Sequence, residues 1–406
     1  MAPPPGDGRS FSRDPVLLTL MAAVFSGSLA MMAFVALVGP VARAAGLEPW
    51  HAGLAVAASG VMWMVSAPPW GSASDRRGRR AVLMAGAVGF AAAYWALCLF
   101  VDGLLRWQVP VLLAFLGLVV LRGLVGGAYA AIPAAGMALI ADRVEPARRA
   151  QAMAQLGTGS GAGLVAGPAL AALLVPYGLS VPLVATAPLP LLACLALWWF
   201  IPRTPPGPGP QRRRLALTDP RLRQPLSIGF AAMFSVAIAQ VSIGFYAMDR
   251  LGLPPEDAAR AAGSALMLVG IALVISQGIA ARLRIAPARM VRCGTLVAAL
   301  GFGSVILADQ SWMLAACYFV AALGMGWVFP GFSAMAANAV EPSEQGAAAG
   351  AAGAAQGFGM VVGPVAGTLL YALTPALPYA LASALLLAVS LPLWLAANRA
   401  EGRAAP

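Results

Sequence analysis

One short segment gathers residues that could form a charged, closely packed site: it reads Gly71-Ser-Ala-Ser-Asp75-Arg76-Arg77-Gly78-Arg79-Arg80. An isolated carboxylate among arginines can accept hydrogen bonds from guanidinium groups, or from the N-terminus of a helix, where the helix dipole is positive. Gly71 would let two helices approach each other closely. Asp142, at the end of a later apolar run, is a candidate to join Asp75, Arg79 and Arg80 in one charge network.

A second candidate is Arg122, which stands in the middle of the apolar run LLAFLGLVVLRGLVGGAYAAI. A charge in such surroundings is costly, so the side chain should face a polar cavity or a partner. Two interpretations stay open: a functional group at a cavity, or a structural clamp on backbone carbonyls of the first apolar run. None of the 15 acids lies inside an apolar run, and Asp249, at the end of one (GFYAMDR), is the nearest to such a cavity.

Small residues about four positions apart mark a third candidate, made of Gly157, Gly161, Gly163, Gly167 and Pro168. This spacing forms a groove for a neighbouring helix, and a proline inside a helix removes one backbone hydrogen bond and bends it. Plain helix packing is the alternative interpretation.

Other kinds of site have no support in the residues. The four cysteines lie inside apolar runs without the CxxC spacing of zinc sites, and the sequence contains no phosphate loop, HExxH or nucleophile elbow. We therefore expect no enzyme activity, no metal and no cofactor.

The elements that position these residues must be apolar helices in a bilayer. Of the 406 residues 60% are hydrophobic and 10% are charged, against about 25% charged in soluble domains. The net charge of +11 comes from arginines in short stretches between apolar runs, whereas a nucleic-acid-binding protein gathers it on one wettable face. The composition predicts an integral membrane protein whose partners are lipid and a small solute, not nucleic acid.

About 20 apolar residues in a helix cross the hydrocarbon core. We expect an all-α fold with twelve spans, near 15–40, 51–70, 81–101, 109–139, 149–174, 182–201, 225–247, 260–281, 289–308, 312–337, 347–370 and 377–396. A Pro/Gly-rich polar stretch separates six spans from six. The predicted domains are a tail over 1–14, an N-terminal six-helix bundle over 15–201, a linker over 202–223, a C-terminal bundle over 224–396 and a tail over 397–406.

The arginines predict the orientation. With the N-terminus inside, 21 arginines fall on the cytoplasmic side, four on the opposite side and Arg122 within a span. Because arginine accumulates in cytoplasmic loops, we expect both termini in the cytoplasm of a bacterial inner-membrane protein. Fixing the orientation of the protein by positive charge on the cytoplasmic side is also the alternative role of the arginines between Gly71 and Arg80.

The two bundles are related in sequence. A shift of 196 residues places Val144-Glu145-Pro146 on Val340-Glu341-Pro342, and Gly167-Pro168 on Gly363-Pro364. Apolar bias alone would not readily give both matches at one separation, so we infer a duplication. Parallel six-span repeats are a known plan of transporters, and they predict two pseudo-symmetric bundles.

The segment from Gly71 to Arg80, expected to be the loop after span two, resembles the signature G-x-x-x-D-R-x-G-R-[RK] of the major facilitator superfamily, with every fixed position present. The resemblance implies that Asp75 meets the start of span eleven, near Gly346, and closes the cytoplasmic side. The matching region of the second half, around Gly278 and Arg282, lacks the acid. The implied gate is therefore asymmetric.

Two further motifs extend the resemblance. Arg122 with Gly126 resembles the family's fourth-span motif R-x-x-x-G, which in relatives is linked to proton coupling or to structure near the cavity. Span five resembles the antiporter motif ending in G-P-x-x-G-G, although Ala171-Ala172 replaces the final glycines. In this superfamily spans one, four, seven and ten line the cavity, which implies as lining residues Met32, Phe34, Arg122, Gln240, Tyr246 and Trp327.

By this resemblance the chain is expected to be a monomeric secondary transporter, similar to drug:proton antiporters, that exports small amphipathic molecules by alternating access. Protons as the coupling ion are implied by the family and not by an acid within a span. The alternatives are a dedicated exporter of a siderophore or another metabolite, or an importer of the same fold. A receptor or scaffold that keeps the fold without transport is a hypothesis of another class, and an accumulation assay would separate it.

Overall fold

The computed structural model describes residues 14–203, 219–283, 285–341 and 344–404. The helices of spans one to six are Pro15–Ala44, Pro49–Arg77, Arg79–Arg106, Val111–Tyr129 with Ala131–Arg143, Pro146–Leu174, and Val181–Thr186 with Pro188–Phe200. Those of spans seven to twelve are Arg223–Asp249, Pro255–Leu283, Pro287–Ser304, Ser311–Asn338, Gln345–Leu373 and Leu377–Ala404. Within these described ranges, twelve segments are long and apolar enough to cross a membrane, so the predicted all-α, twelve-span fold is confirmed.

The Gly71–Arg80 segment is not the expected loop. The helix of span two continues to Arg77, and span three begins at Arg79, so Gly78 alone separates them. Gly78 has φ +88°, a backbone conformation that costs a residue with a Cβ far more than it costs glycine. The prediction of a loop was wrong because one glycine suffices to turn the chain between the two helices.

Span four is interrupted at Ala130, between Tyr129 and Ala131. Pro133 has no N–H to donate to the carbonyl of Tyr129, and the ring of a proline inside a helix crowds that carbonyl, which bends or breaks the helix. The helix therefore ends and restarts just before it, which places Arg122 in the first of the two segments.

The duplication is visible in the packing, because span five packs on span one as span eleven packs on span seven. A Cβ at Gly163 would lie 2.9 Å from the backbone nitrogen of Leu29, and one at Gly359 would lie 2.8 Å from that of Phe234. Gly359 follows Gly163 by the same 196 residues that relate the two halves in sequence. The predicted pseudo-symmetry of the two bundles is confirmed.

The predicted tail over 1–14 and linker over 202–223 lie mostly outside the described residues, which resume at Asp219. The last helix continues beyond the expected end at 396, to Ala404. The exact domain boundaries stay a prediction.

Candidate functional site: the pathway between the bundles

Two matched interfaces join the bundles, and in each of them glycines on one helix meet the backbone of another. In the interface of span two with span eleven, a Cβ at Gly53 would lie 2.6 Å from the carbonyl oxygen of Pro364. Further along the same helix, a Cβ at Gly60 would lie 3.3 Å from Cγ2 of Val361. The distance at Gly53 leaves no room for a larger side chain, so the two helices are in backbone contact there, while at Gly60 a side chain of span eleven packs against span two.

The interface of span eight with span five repeats this arrangement. A Cβ at Gly263 would lie 2.7 Å from the carbonyl oxygen of Pro168, and one at Gly270 would lie 2.9 Å from Cβ of Val165. Both glycines follow those of span two by 210 residues. The Gly-Pro element that marked the duplication thus lies where the two bundles touch.

Toward one end of the molecule, the same faces of spans five and eleven no longer contact the other bundle. We call this end, which carries the start of span one and Arg76 to Arg80, the Arg-rich side, and the other the Arg-poor side. On span five, Gly157 and Gly161 continue the line of Val165 and Pro168, yet a Cβ at either glycine would meet nothing within 4 Å. The same holds on span eleven for Gly346, Gly350, Gly353 and Gly357. The bundles are therefore in contact at the Arg-poor side and apart at the Arg-rich side.

Ionic and backbone contacts close the Arg-poor side. Arg43 Nη2 donates to both carboxylate oxygens of Asp249, at 2.8 and 2.7 Å, and the Tyr371 hydroxyl donates to Oδ2 at 3.1 Å. About one turn before this ion pair in both helices, spans one and seven cross, since a Cβ at Gly39 would lie 3.2 Å from Cα of Gly244. These five residues, which we call the seal, join spans one, seven and eleven across the two halves.

Asp249 was expected near a cavity, and the structure places it in the seal instead. Its partner Arg43 was not singled out by the sequence. The available signal was an arginine at the end of span one and an acid at the end of span seven, the corresponding span of the other half.

At the Arg-rich side Arg79 gathers three residues of the N-terminal bundle. Its Nε donates to Oδ2 of Asp142 at 2.8 Å, and its Nη1 donates to Ser74 Oγ at 2.9 Å and to Asp75. Arg79 is buried although it lies at a helix start. The cluster ties span two and span three to the end of span four.

The contact expected between Asp75 and the start of span eleven is not made in this conformation. Gly71 and Gly346 both face open space, and the described partner of Asp75 is Arg79. Arg76 is exposed, whereas Arg80 donates to the carbonyl oxygen of Trp198 at 2.6 Å. The contact stays a prediction for a state in which the Arg-rich side is closed.

A second charge cluster, which the sequence did not indicate, lies in the C-terminal half. Arg221 donates to Glu344, at the start of span eleven, at 2.8 Å, and to Asp219 at 2.8 Å. Hydrogen bonds from Arg221 hold the pKa of both carboxyl groups below their ordinary values. The cluster binds the end of the linker to span eleven.

Arg122 lies inside the N-terminal bundle, with 1% of its surface exposed. Its guanidinium carbon lies 4.5 Å from the ring centroid of Phe34, and Nη1 donates to Sδ of Met31 at 3.7 Å. Among the described residues Nε has no hydrogen-bond partner. The contacts to span one are thus to a ring and a thioether, not to the backbone carbonyls that the clamp interpretation expected.

The other residues expected to line the cavity have different surroundings. Phe34 and Tyr246 are 0% and 1% exposed, and Tyr246 donates to the carbonyl oxygen of Val305 at 2.7 Å. These two side chains are packed inside their bundles, so they line no open pathway in this conformation. Partly exposed are Met32, Gln240 and Trp327.

Known proteins are similar to this chain in sequence. The family model described as Major Facilitator Superfamily matches residues 16–283 and 228–406. Tetracycline resistance protein, class G, of Vibrio anguillarum is 29% identical over 316 residues, which are 73% of this chain and 74% of that protein. Multidrug resistance protein MdtG of Yersinia enterocolitica is 34% identical over 160 residues, 39% of this chain and 34% of that protein.

Among solved structures, a bacterial homologue of the human lysosomal transporter Spinster, in an inward-facing and unoccupied conformation, matches with a TM-score of 0.71. The identity is 17%, and the match covers 96% of each chain. A family match across nearly the whole sequence, on two duplicated bundles with a pathway between them, shows that this chain belongs to the Major Facilitator Superfamily of membrane transporters and is not an enzyme.

Proposed function

We propose that the protein exports small amphipathic molecules from the cytoplasm in exchange for protons. The observation that carries this proposal is the contrast between the two ends: the facing helices of the two bundles are apart at the Arg-rich side and in contact at the Arg-poor side. Arginine bias favours a cytoplasmic location for the Arg-rich side, so a solute would enter from there. Relatives that are named for resistance to tetracycline and to multiple drugs favour export over import.

Alternating access would use the helix faces already described. When the bundles rock, the exposed faces of span five at Gly157 and span eleven at Gly353 would approach spans eight and two. The ion pair of Arg43 with Asp249 would break, and Asp75 would reach the start of span eleven, whose positive dipole end suits a carboxylate. Small residues on both faces make such closure sterically feasible.

Arg122 is the residue that we assign to coupling. The guanidinium is buried, its Nε has no hydrogen-bond partner, and no carboxylate forms an ion pair with it among the described residues. Such a charge raises the free energy of the conformation that buries it. Rearrangement of the bundle can relieve that cost, which would link the charge to the conformational cycle. The coupling ion itself is proposed from the relatives.

Transport into everted membrane vesicles tests the proposal. Respiration acidifies the interior of such vesicles. Vesicles that contain the protein should then accumulate a tetracycline or a fluorescent amphipathic dye, and a protonophore should abolish the accumulation. Asp75→Asn should slow it, whereas Asp102→Asn, which alters a surface ion pair at the opposite side, should have little effect. Accumulation no greater than in vesicles without the protein, over a broad ligand panel, would refute export.

A further inference from the structure

An apolar groove opens on the outer surface of the N-terminal bundle, near its Arg-rich side. Its volume is about 440 Å³, and its walls are Met84, Ala85 and Val88 of span three with Cys194, Leu195 and Trp198 of span six. Val88, Leu195 and Trp198 are each more than half exposed. In a twelve-span protein such a surface faces the acyl chains of the bilayer, away from the pathway between the bundles.

The groove ends at a fixed positive charge. The guanidinium carbon of Arg80 lies 5.4 Å from the ring centroid of Trp198, and Nη2 donates to the carbonyl oxygen of the same residue. Arg76 and Arg77, just before it in the chain, are exposed. One wall of the groove therefore holds a cation in place, and two more exposed arginines precede it by four and three residues in the chain.

We propose that this groove binds an anionic phospholipid of the leaflet on the Arg-rich side. One acyl chain would lie between spans three and six, and the phosphate would meet Arg76, Arg77 and Arg80. Arginine is the side chain best suited to phosphate, because its planar donors match two oxygens at once. Tryptophan is typical of the depth where headgroups meet acyl chains, and an anionic headgroup complements the three arginines better than a zwitterionic one does.

Bound there, the lipid would restrain the junction between spans two and three, which holds the Asp75–Arg79 cluster. The inference depends on the groove and its charges and not on the substrate or on the direction of transport. Its test can therefore use purified protein without any transport assay.

The test compares phosphatidylglycerol with phosphatidylcholine of the same acyl chains, by native mass spectrometry and by thermal unfolding. We expect phosphatidylglycerol to stay bound and to raise the melting temperature more than phosphatidylcholine does, as a ligand of the folded state must. Ala85→Phe would fill the groove. If it displaces about two methylenes of the acyl chain, binding should weaken roughly tenfold.

Matched controls are available on the same surfaces. Ala96→Phe places the same bulk on the exposed side of span three, about 16 Å further along the helix, and should leave lipid binding unchanged. Arg77→Gln should reduce the preference for phosphatidylglycerol, whereas Arg289→Gln, exposed at the start of span nine, should not.

Equal binding of the two lipids to the wild-type protein would overturn the proposal, as would equal retention by Ala85→Phe and Ala96→Phe. Displacement of the lipid by an amphipathic solute at the same groove would also contradict it, since the groove would then be a solute site. If Ala85→Phe unfolds early in lipid-free detergent, the pair Arg77→Gln and Arg289→Gln decides.

Discussion

The two ends of the pathway use the same helix faces in opposite ways. At the Arg-poor side the faces of spans five and eleven touch the glycines of spans eight and two, and at the Arg-rich side the same faces meet nothing. Charged residues lie at both ends, yet in the part of the chain that the structure describes the Arg43–Asp249 pair is the one ion pair that joins the two halves across the closed end. We infer from this comparison that backbone contact at glycines contributes more to closing the pathway than the ion pair does.

The free energies expected for the two kinds of contact agree with this ranking. A side chain forced into a fully packed interface costs about 1–3 kcal/mol. An exposed ion pair contributes about 0.2–1 kcal/mol, and the side chains of Arg43 and Asp249 are 43% and 35% exposed. Substitutions at the glycines should therefore change the conformation more than substitutions at the charges.

The largest effect is expected when Gly53→Val and Gly263→Val are combined, one on each closed interface. Each new side chain would meet a proline carbonyl that the helix holds in place, and the costs of about 1–3 kcal/mol should add because the sites are distant. We expect at least about a tenfold shift toward a state open at the Arg-poor side. Distances between spin labels at the ends of spans one and seven would measure it.

Gly157→Val combined with Gly353→Val is the matched control, since both positions face open space. These changes should leave the spin-label distances as in the wild type but hinder closure of the Arg-rich side, so that transport slows. Unchanged distances in the first double variant, or an equal shift in the second, would break the comparison.

Between the two ends, Arg122→Met removes a buried charge and keeps an apolar side chain of similar length. A charged residue at the centre of a span costs about 2.5–3.5 kcal/mol on insertion scales, so we expect a higher melting temperature together with lost transport. Arg122→Lys keeps the charge and should gain no stability. A lower melting temperature for Arg122→Met would show that the guanidinium has a stabilising partner.

A smaller effect is expected from Asp249→Asn, which removes the ion pair of the seal but leaves Gly39 against Gly244. The seal should open only a few-fold more often, in line with about 0.2–1 kcal/mol for an exposed pair. Exchanging the charges, with Arg43→Asp and Asp249→Arg together, should restore the wild-type distances. A shift as large as that of the glycine variants would mean that charge, not backbone contact, closes this end.

The smallest effect concerns the Arg221 cluster at the open end. The pKa of the Glu344 carboxyl is below its ordinary value because Arg221 donates to it, so the charged form is favoured in the folded state. Its stabilising contribution is present above the unfolded pKa and is lost as the pH falls through the lower folded pKa. Melting temperatures of Glu344→Gln and wild type should therefore differ slightly at pH 7, and the difference should shrink as the pH falls below the ordinary glutamate pKa of about 4.3. The comparison variant is Glu256→Gln, which removes an exposed carboxylate that has no described ion-pair partner and should change the melting temperature at pH 7 less than Glu344→Gln does.

Much of the architecture could be predicted from local properties of the chain. Run length and composition locate twelve spans, because each helix must satisfy its own backbone in lipid. The repeated Gly-Pro of spans five and eleven indicated the duplication, and it lies where the bundles meet. The interruption of span four lies beside Pro133, whereas the helices of spans five and eleven continue through Pro168 and Pro364, so a proline marks a possible break without deciding it.

The candidate site was predicted less completely, because residue type does not reveal which way a helix is rotated. Phe34 and Tyr246 were expected at the cavity and are packed inside their bundles, one beneath a guanidinium and one against a backbone carbonyl. Arg43 was counted among the arginines of the outer side, and its pairing with Asp249 spans more than 200 residues.

The sequence by itself determined that this is a duplicated, twelve-span membrane protein with one arginine in the middle of a span, since those properties depend on apolar run length, internal similarity and charge position. Only the tertiary structure decided which glycines meet another helix, which end of the pathway is closed and what Asp249 binds. Those properties depend on the rotation of each helix and on the relative position of two rigid bundles, and contacts between distant residues set both.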